Sequence, residues 1–444
     1  MAGAALCVPP DDAEIRQILV QRIDIAHQSV GIVVGVMDPA GKRIIAYGAL
    51  DQGDQQPLNG DTVFEIGSIT KVFTSLLLSD MVQRGEVKLT DPISKYLPAT
   101  VKVPERGGRS ITLEDLATHT SGLPRLPTNI TPKDPANPYA DYSVEQLYQF
   151  LSGYTLPRDI GTQYEYSNLG GGLLGHVLAR RAGMDYEALV RARVTGPLKM
   201  NRTAITLTPE LKARLAVGHD PSMKRTANWD LPTLAGGGAL RSTVNDMLTF
   251  VAANLGYTKT ELAPAMADML TVRRPTGTPD LEVALAWHVS TRFGHDIVWH
   301  NGGTGGYRTF IGFDPKSRTG VVVLSNAGTP AGVDDIGYHL LDARYKLIEY
   351  REHKEIAVDP KVLAGYLGRY QLAPGFILEV TEEAGHLYGQ PTGQPKLELF
   401  AEGEKNFFLK VVEAQVTFET DAQGKAASLV LHQNGRDLPG KRVE

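Results

Sequence analysis

The pattern of apolar and polar positions changes early in the chain from one typical of strands to one typical of a helix. Two largely apolar runs, Ile32–Met37 and Arg43–Leu50, flank a turn at Asp38–Lys42 that contains Pro and Gly. This arrangement predicts an early β-hairpin. After Ser68 the apolar residues instead recur at helical spacing until Gly85, which predicts a helix. Its apolar positions are Val72, Phe73, Leu76, Leu77, Met81 and Val82.

A strand pattern returns near the end of the main domain. From about Leu89 to Leu270 helical patterns dominate. Four short apolar runs then follow at close spacing and predict an antiparallel meander, with a further helix over Val333–Glu349. A sheet built from the beginning and the end of a domain, with a helical insertion between, is an α+β fold. The four runs are Val283–Val289, His295–His300, Arg308–Asp314 and Gly320–Ser325.

A second series of short strands follows the charged segment Arg351–Glu355. It predicts a separate all-β domain of roughly ninety residues, either a small barrel or a sandwich. The predicted organisation is a tail over residues 1–14, a main domain over 15–350 and a C-terminal β-domain over 351–444. We expect the C-terminal domain to shape access to the site and to supply no chemistry. Its predicted strands are Phe376–Thr381, Lys396–Phe400, Asn406–Val412, Val416–Thr420 and Ala427–His432.

Composition narrows the classes of function. A length of 444 residues fits two domains, and a hydrophobic fraction of 42% can fill a sizeable core. A net charge of −5 gives no basis for binding nucleic acid. The single cysteine, Cys7, excludes a disulfide or a cysteine metal site within one chain. No apolar stretch is long enough to span a bilayer. The first ten residues fit either the end of a trimmed signal peptide or a disordered tail.

The first candidate motif, Ser68-Ile-Thr-Lys71, opens the apolar helix. Side chains three residues apart lie one helical turn from each other, so the lysine can contact the serine Oγ and take its proton. A helix start also places free N–H groups and the positive end of the helix dipole beside a developing oxyanion. A chain of this length contains about one Ser-x-x-Lys by chance, so the motif depends on its companions.

The second motif, Tyr166-Ser-Asn168, brings a phenol and an amide. A tyrosine can act as a general base only if nearby cations lower its pKa from about 10, and Lys71 could supply that charge. Asn168 could orient both a lysine and a substrate amide. The motif therefore predicts a proton-transfer partner for Ser68.

The third motif, His300-Asn-Gly302-Gly303, ends a predicted strand. Glycine at such a place lets a substrate backbone approach closely. The backbone N–H groups of Ser68 and Gly303 could together form an oxyanion hole.

Ser-x-x-Lys, Tyr-x-Asn and a strand ending in His-x-Gly, in this order, resemble the motifs of the penicillin-recognising serine hydrolases. The resemblance is greatest to the class C β-lactamase-like branch, which includes family VIII esterases, D-aminopeptidases and some DD-peptidases. It covers residues 15–345. The supporting phrases are Phe64-Glu-Ile-Gly-Ser68, Leu116-Ala-Thr-His-Thr-Ser-Gly-Leu-Pro124, Gly236-Gly-Gly-Ala-Leu-Arg-Ser242 and Gly302-Gly-Thr-Gly-Gly-Tyr307.

This resemblance implies an antiparallel sheet beside a helical domain, with the site in the cleft between them. It implies that Ser68 is the nucleophile, Lys71 its proton partner and Tyr166 the base or proton shuttle. Asn168 and Gly302 would contact the substrate, and His300 would line the third wall. The C-terminal domain resembles the lipocalin-like domain of D-amino-acid-specific peptidases in this family.

The resemblance also implies a metal-independent serine hydrolase without a cofactor. Its substrate would be a small molecule or peptide: a β-lactam, an ester or a D-aminoacyl amide. A periplasmic or secreted location is implied, with a cytoplasmic one as the alternative, and homo-oligomerisation is left open. The β-lactamases and DD-carboxypeptidases of the family usually carry lysine where this chain has His300. A mostly neutral histidine holds a substrate carboxylate poorly, which favours esters, amides and D-aminoacyl peptides.

Each motif has a structural alternative. Ser68 could cap a helix beside a solvated Lys71, and Tyr166 could be a buried core tyrosine. His300 could be a hydrogen-bonded strand-end histidine that never meets substrate. We interpret His119 as a hydrogen-bonding loop residue. The competing function is a catalytically silent peptidoglycan-binding, peptide-binding or scaffold protein, against which the full set of Ser68, Lys71 and Tyr166 argues.

Overall fold

The structure is a computed structural model, which describes residues 9–54, 56–349, 353–373, 376–392, 394, 396–410, 414–433 and 436–443. Cys7 and residues 1–8 of the predicted tail lie outside the described residues. The chain divides into two compact units, one ending at Tyr345 and the other beginning at Lys346. Helix α1 (Asp12–Val20) already begins within the range predicted as tail, because Asp11 and Glu14 form a capping box.

The main unit is built on one antiparallel sheet. Its eight strands run in the spatial order β2-β1-β12-β11-β10-β9-β8-β7, so the first hairpin pairs with the last strand of the domain. Ile32 lies opposite Ser325 in that pairing. The strands are β1 (Gly31–Asp38), β2 (Gly41–Gly48), β7 (Arg274–Pro275), β8 (Leu281–Val283), β9 (His288–Ser290), β10 (Ile297–Gly303), β11 (Arg308–Asp314) and β12 (Thr319–Ser325). The predicted α+β sheet, formed from both ends of the domain, is confirmed.

The described residues of the main unit also form two small strand pairs and nine further α-helices. The pairs join β3 (Val63–Glu65) to β6 (Arg241–Thr243), and β4 (Glu105–Arg106) to β5 (Arg109–Ser110). The helices are α2 (Thr70–Gln83), α3 (Leu113–Ala117), α4 (Val144–Gly153), α5 (Asn168–Ala182), α6 (Tyr186–Val190), α7 (Pro209–Ala213), α8 (Val244–Asn254), α9 (Ala263–Asp268) and α10 (Asp334–Leu341).

Helices cover both faces of the central strands. Gly320 on β12 faces Val251 of α8, whereas Gly312 on β11 faces Leu341 of α10. Gly312 lies opposite Val321 in the strand pairing, so the two residues share a face of the sheet. Gly320 precedes Val321 and therefore belongs to the other face. Strands enclosed on both faces need apolar residues throughout, which explains their nearly continuous apolar runs.

Helix α2 lies at the centre of the core. Every residue from Thr70 to Met81 is buried, the polar ones included. Phe73 stacks on Phe250 of α8, with ring centroids 4.6 Å apart. The helix that begins just after Ser68 is therefore held by the core on all sides.

Two sequence predictions differ from the structure. The run Val283–Val289 is not one strand but two, because the chain turns between β8 and β9, where Ala286 has φ +63°. The predicted helix Val333–Glu349 ends early, at Leu341. The carboxylate of Asp342 accepts a hydrogen bond from the backbone N–H of Arg344 at 3.0 Å, a local bond that competes with helix continuation.

The second unit is a closed eight-stranded antiparallel barrel, preceded by α11 (Pro360–Ala364). Its interior is filled by aliphatic and aromatic side chains, including Tyr366, Tyr370, Phe407 and Phe418. The predicted all-β domain is confirmed, and of the two predicted forms it is the barrel. The strands are β13 (Gly368–Ala373), β14 (Phe376–Glu383), β15 (His386–Pro391), β16 (Leu397–Ala401), β17 (Asn406–Phe408), β18 (Ala414–Thr420), β19 (Ala426–Gln433) and β20 (Arg436–Arg442).

Neither a membrane-spanning helix nor a metal-binding cluster is found in the described part of the chain. None of its helices combines the length and the apolar character that crossing a bilayer requires. The same residues contain no group of three or more His, Cys, Asp or Glu side chains placed to hold a metal ion.

Candidate active site

Ser68 lies in a 3₁₀ turn, Gly67–Ile69, that leads directly into α2. Gly67 has φ +50°, and a Cβ at this position would lie 2.7 Å from the backbone nitrogen of Gly303. Only glycine fits both the backbone conformation and the space. The turn is therefore pressed against the end of β10, which brings Ser68 and Gly303 together.

Lys71 is 2% exposed, and its Nζ has three polar neighbours. The Nζ lies 3.0 Å from Ser68 Oγ, 2.9 Å from Asn168 Oδ1 and 2.6 Å from the carbonyl oxygen of Gly237. Burial lowers the pKa of Lys71 well below its usual value, and the charge of Arg125 lowers it further. A neutral amine has two N–H donors and one lone pair. In a neutral amine the carbonyl and amide oxygens would accept the two donors, which would leave the lone pair for the hydroxyl proton of Ser68.

Tyr166 lies between the Ser68–Lys71 pair and three histidines. Its ring centroid is 4.9 Å from Lys71 Nζ and 4.5 Å from the ring of His119. The rings of His300 and His288 are 6.2 Å and 6.5 Å away. Tyr166 therefore occupies the centre of the group that the sequence motifs predicted.

The prediction that Lys71 lowers the pKa of Tyr166 is wrong. Burial raises the pKa of the phenol, and this effect exceeds the opposing effect of a hydrogen bond with Ser68. The effects that lower this pKa come from the Ser68 hydrogen bond and the charge of Arg125, and Lys71 is not among them. Tyr166 thus holds its proton in the resting site.

Asn168 is the first residue of α5, and the structure fixes its position through the residues before it. The Ser167 side chain accepts the N–H of Gly170 at 2.8 Å and donates to the carbonyl of Pro124 at 2.7 Å. This N-cap anchors the helix start, from which Asn168 Oδ1 reaches Lys71.

The third motif is placed differently from the prediction. His300 is 0% exposed, and its Nδ1 lies 2.6 Å from the carbonyl oxygen of Asn301, so Nδ1 is the protonated nitrogen. A Cβ on Gly302 would lie 2.0 Å from the carbonyl oxygen of Ile66, so this glycine allows contact with the chain's own backbone. Only Gly303 of the motif lines the cavity beside Ser68.

Sequence reasoning missed part of the wall of this cavity. Tyr139, Trp229 and Leu231 line it together with Gly238 and Thr304. The rings of Tyr139 and Trp229 are 5.3 Å apart. Both aromatic residues lie in irregular segments without periodicity, so the sequence carried no signal for them. The expected hydrogen-bonding role of His119 is seen, since its Nδ1 accepts the backbone N–H of Ser167 at 3.1 Å.

Comparison with known proteins finds a profile match in each unit. The profile of the Beta-lactamase family matches residues 15–345. A second profile, a Domain of unknown function (DUF3471), matches residues 352–442.

Individual relatives agree with the first match. D-alanyl-D-alanine-carboxypeptidase/endopeptidase AmpH of Escherichia coli (strain K12) is 32% identical over 311 residues, which cover 67% of this chain and 79% of that protein. Penicillin-binding protein 4* of Bacillus subtilis (strain 168) is 26% identical over an alignment that covers 96% of this chain and 98% of that protein. The crystal structure of a class C beta lactamase from Rhodobacter sphaeroides has a TM-score of 0.64 and 25% identity, covering 75% of this chain and 98% of that chain.

Proposed function

This chain belongs to the Beta-lactamase family and is a serine hydrolase, and from that premise we propose that it works through an acyl-enzyme formed on Ser68. The observation that carries the proposal is the 3.0 Å contact between Ser68 Oγ and Lys71 Nζ. The two other neighbours of Nζ are oxygen acceptors, so the neutral amine directs its lone pair at the hydroxyl. A nucleophile with such a neighbour can lose its proton as it attacks.

Acylation needs two proton transfers. The Ser68 proton passes to Lys71 as Oγ attacks the substrate carbonyl, and the N–H groups of Ser68 and Gly303 stabilise the oxyanion. Tyr166 then donates its phenol proton to the leaving atom as the bond to the carbonyl carbon breaks. Lys71 returns its extra proton to Tyr166, so both groups regain their starting states. Water repeats these transfers in reverse, releases the acid and restores Ser68.

For the substrate we propose an ester or amide that presents no carboxylate to His300, with D-aminoacyl amides included, and a β-lactam as the alternative. Burial lowers the pKa of His300 well below its usual value, and its only N–H is directed at Asn301. His300 therefore supplies neither a charge nor a free donor for a substrate carboxylate. The aromatic side chains of Tyr139 and Trp229 offer an apolar wall for the acyl group.

The test combines a covalent probe with a substrate screen. Intact-protein mass spectrometry after incubation with a fluorophosphonate should show one adduct, and peptide mapping should place it on Ser68. p-Nitrophenyl esters, D-alanyl amides and nitrocefin are then compared by kcat/KM. We expect the neutral esters and amides to exceed nitrocefin. A protein that forms no adduct would contradict the acyl-enzyme, whereas preference for nitrocefin would contradict the substrate assignment alone.

A periplasmic or secreted location remains a prediction. Fractionation of cells that express the full chain tests it.

A further inference from the structure

His119 makes three separate contacts with the segment that carries Tyr166. Its backbone carbonyl accepts the N–H of Glu165 at 2.8 Å, and its Nδ1 accepts the N–H of Ser167 at 3.1 Å. Between these two bonds, the imidazole lies against the phenol ring, with centroids 4.5 Å apart and planes inclined by 36°. The residues on both sides of Tyr166 are thus bound to the same histidine that packs on its ring.

The backbone of His119 is specialised for this position. Its φ is +57°, a left-handed conformation that is strained for a residue with a Cβ. The next residue continues the contact, because the carbonyl of Thr120 accepts the N–H of Gly161 at 2.8 Å. The strained turn therefore presents consecutive acceptors to the loop that leads to Tyr166.

The hydrogen bonds also fix the protonation state of the ring. Nδ1 accepts a backbone N–H, so the proton of the neutral imidazole is on Nε2. His119 is 2% exposed, and burial is the main reason that its pKa lies well below the usual value. The imidazole therefore stays neutral and keeps Nδ1 free to accept from Ser167.

We propose that His119 is the positioning residue of Tyr166, and that its Nδ1 acceptor aligns the phenol with the leaving atom of the substrate. The proposal rests on the proposed acyl-enzyme function, in which Tyr166 donates a proton during acylation. His119 acts through Tyr166 and takes no part in bond making.

This role has a specific kinetic consequence. Alkoxides and amines leave only with a proton, whereas p-nitrophenolate leaves without one. A phenol displaced by about 1 Å costs of the order of 10²-fold in a step that needs it. Loss of the His119 acceptor should therefore slow hydrolysis of an alkyl ester far more than hydrolysis of the p-nitrophenyl ester of the same acid.

The test compares His119→Gly with His119→Asn in the full chain. Glycine removes the imidazole and tolerates φ +57° without strain, while asparagine also tolerates this conformation and restores an acceptor close to the place of Nδ1. With the alkyl ester we expect kcat/KM, which reports acylation alone, to fall about 30- to 100-fold in the glycine variant and about 5-fold or less in the asparagine variant. With the p-nitrophenyl ester, we expect kcat/KM of both variants to stay within about 5-fold of wild type.

Labelling of Ser68 by a fluorophosphonate separates this inference from the function on which it rests. If wild type does not label, the acyl-enzyme proposal fails. If wild type labels, the positioning role is overturned by equal losses for the two esters, or by an asparagine variant as slow as the glycine variant. Should His119→Gly not be soluble, His119→Gln replaces it, because its oxygen lies one methylene too far out to accept from Ser167.

Discussion

Gly171 of α5 is predicted to control activity although it has no side chain. A Cβ at this position would lie 2.9 Å from Cε and 3.0 Å from Cδ and Cγ of Lys71. Carbon atoms prefer separations of about 3.5–4.0 Å, so in Gly171→Ala the lysine stem must move by roughly 0.5–1 Å. This shift draws Nζ away from Ser68 Oγ, which it now meets at 3.0 Å.

The effect on stability should be small. Overpacking lowers the free energy of unfolding by about 1–3 kcal/mol, whereas replacing glycine by alanine inside a helix raises it by about 1 kcal/mol. The effect on catalysis should be large, because a displacement of about 1 Å costs of the order of 10²-fold. We therefore expect Gly171→Ala to lower kcat about 100-fold, with a free energy of unfolding within about 2 kcal/mol of wild type.

The assay is kcat and KM for a p-nitrophenyl ester, together with urea unfolding of the same preparations. Gly170→Ala is the matched control, since a Cβ there would meet the Ser167 side chain at 3.3 Å and does not contact Lys71. We expect this neighbour to keep activity within a few-fold. A folded Gly171→Ala enzyme with wild-type kcat would refute the reasoning that close packing sets the position of Lys71.

Three further predictions follow from the site. Ser68→Ala should abolish fluorophosphonate labelling and turnover with little change in melting temperature, because this half-buried side chain packs little; substantial remaining turnover would rule out Ser68 as the nucleophile. Gly67→Ala should lower both labelling and melting temperature, since its Cβ would lie 2.7 Å from the nitrogen of Gly303 at φ +50°; an unchanged melting temperature would contradict this. Arg125→Gln removes a positive charge that lowers the pKa of Lys71, so this pKa should rise. Because the proposed active form is the neutral amine, the acid limb of the pH profile of kcat/KM should move to higher pH while the plateau stays unchanged. Arg191→Gln is the control. An acid limb that does not move, or one that moves equally in the control, would contradict the assignment of this limb to Lys71.

The sequence was informative where chemistry and periodicity coincide. Ser68 and Lys71 are linked by helical spacing alone, and a sheet formed from both ends of the domain was predicted from the apolar runs found there. The state of Tyr166 could not be predicted, because its pKa depends on burial by elements distant in sequence. The enclosure of His300 depends on tertiary packing in the same way. Residue type gives the chemistry, but only the fold decides which groups keep their protons.

The glycine-rich segments show how the fold buries Lys71 and so affects its protonation. Gly236 lies so close to α5 that its Cβ would be 2.8 Å from the Cα of Gly175 and 3.0 Å from the carbonyl oxygen of Gly171. Such an approach of two backbones requires glycine on both sides. It brings the carbonyl of Gly237 to 2.6 Å from Lys71 Nζ and leaves the lysine 2% exposed. A lysine in water would be charged at pH 7 and unable to take a proton from serine. The glycines therefore serve the chemistry indirectly, because the packing they permit buries the amine beside Ser68 and lowers its pKa.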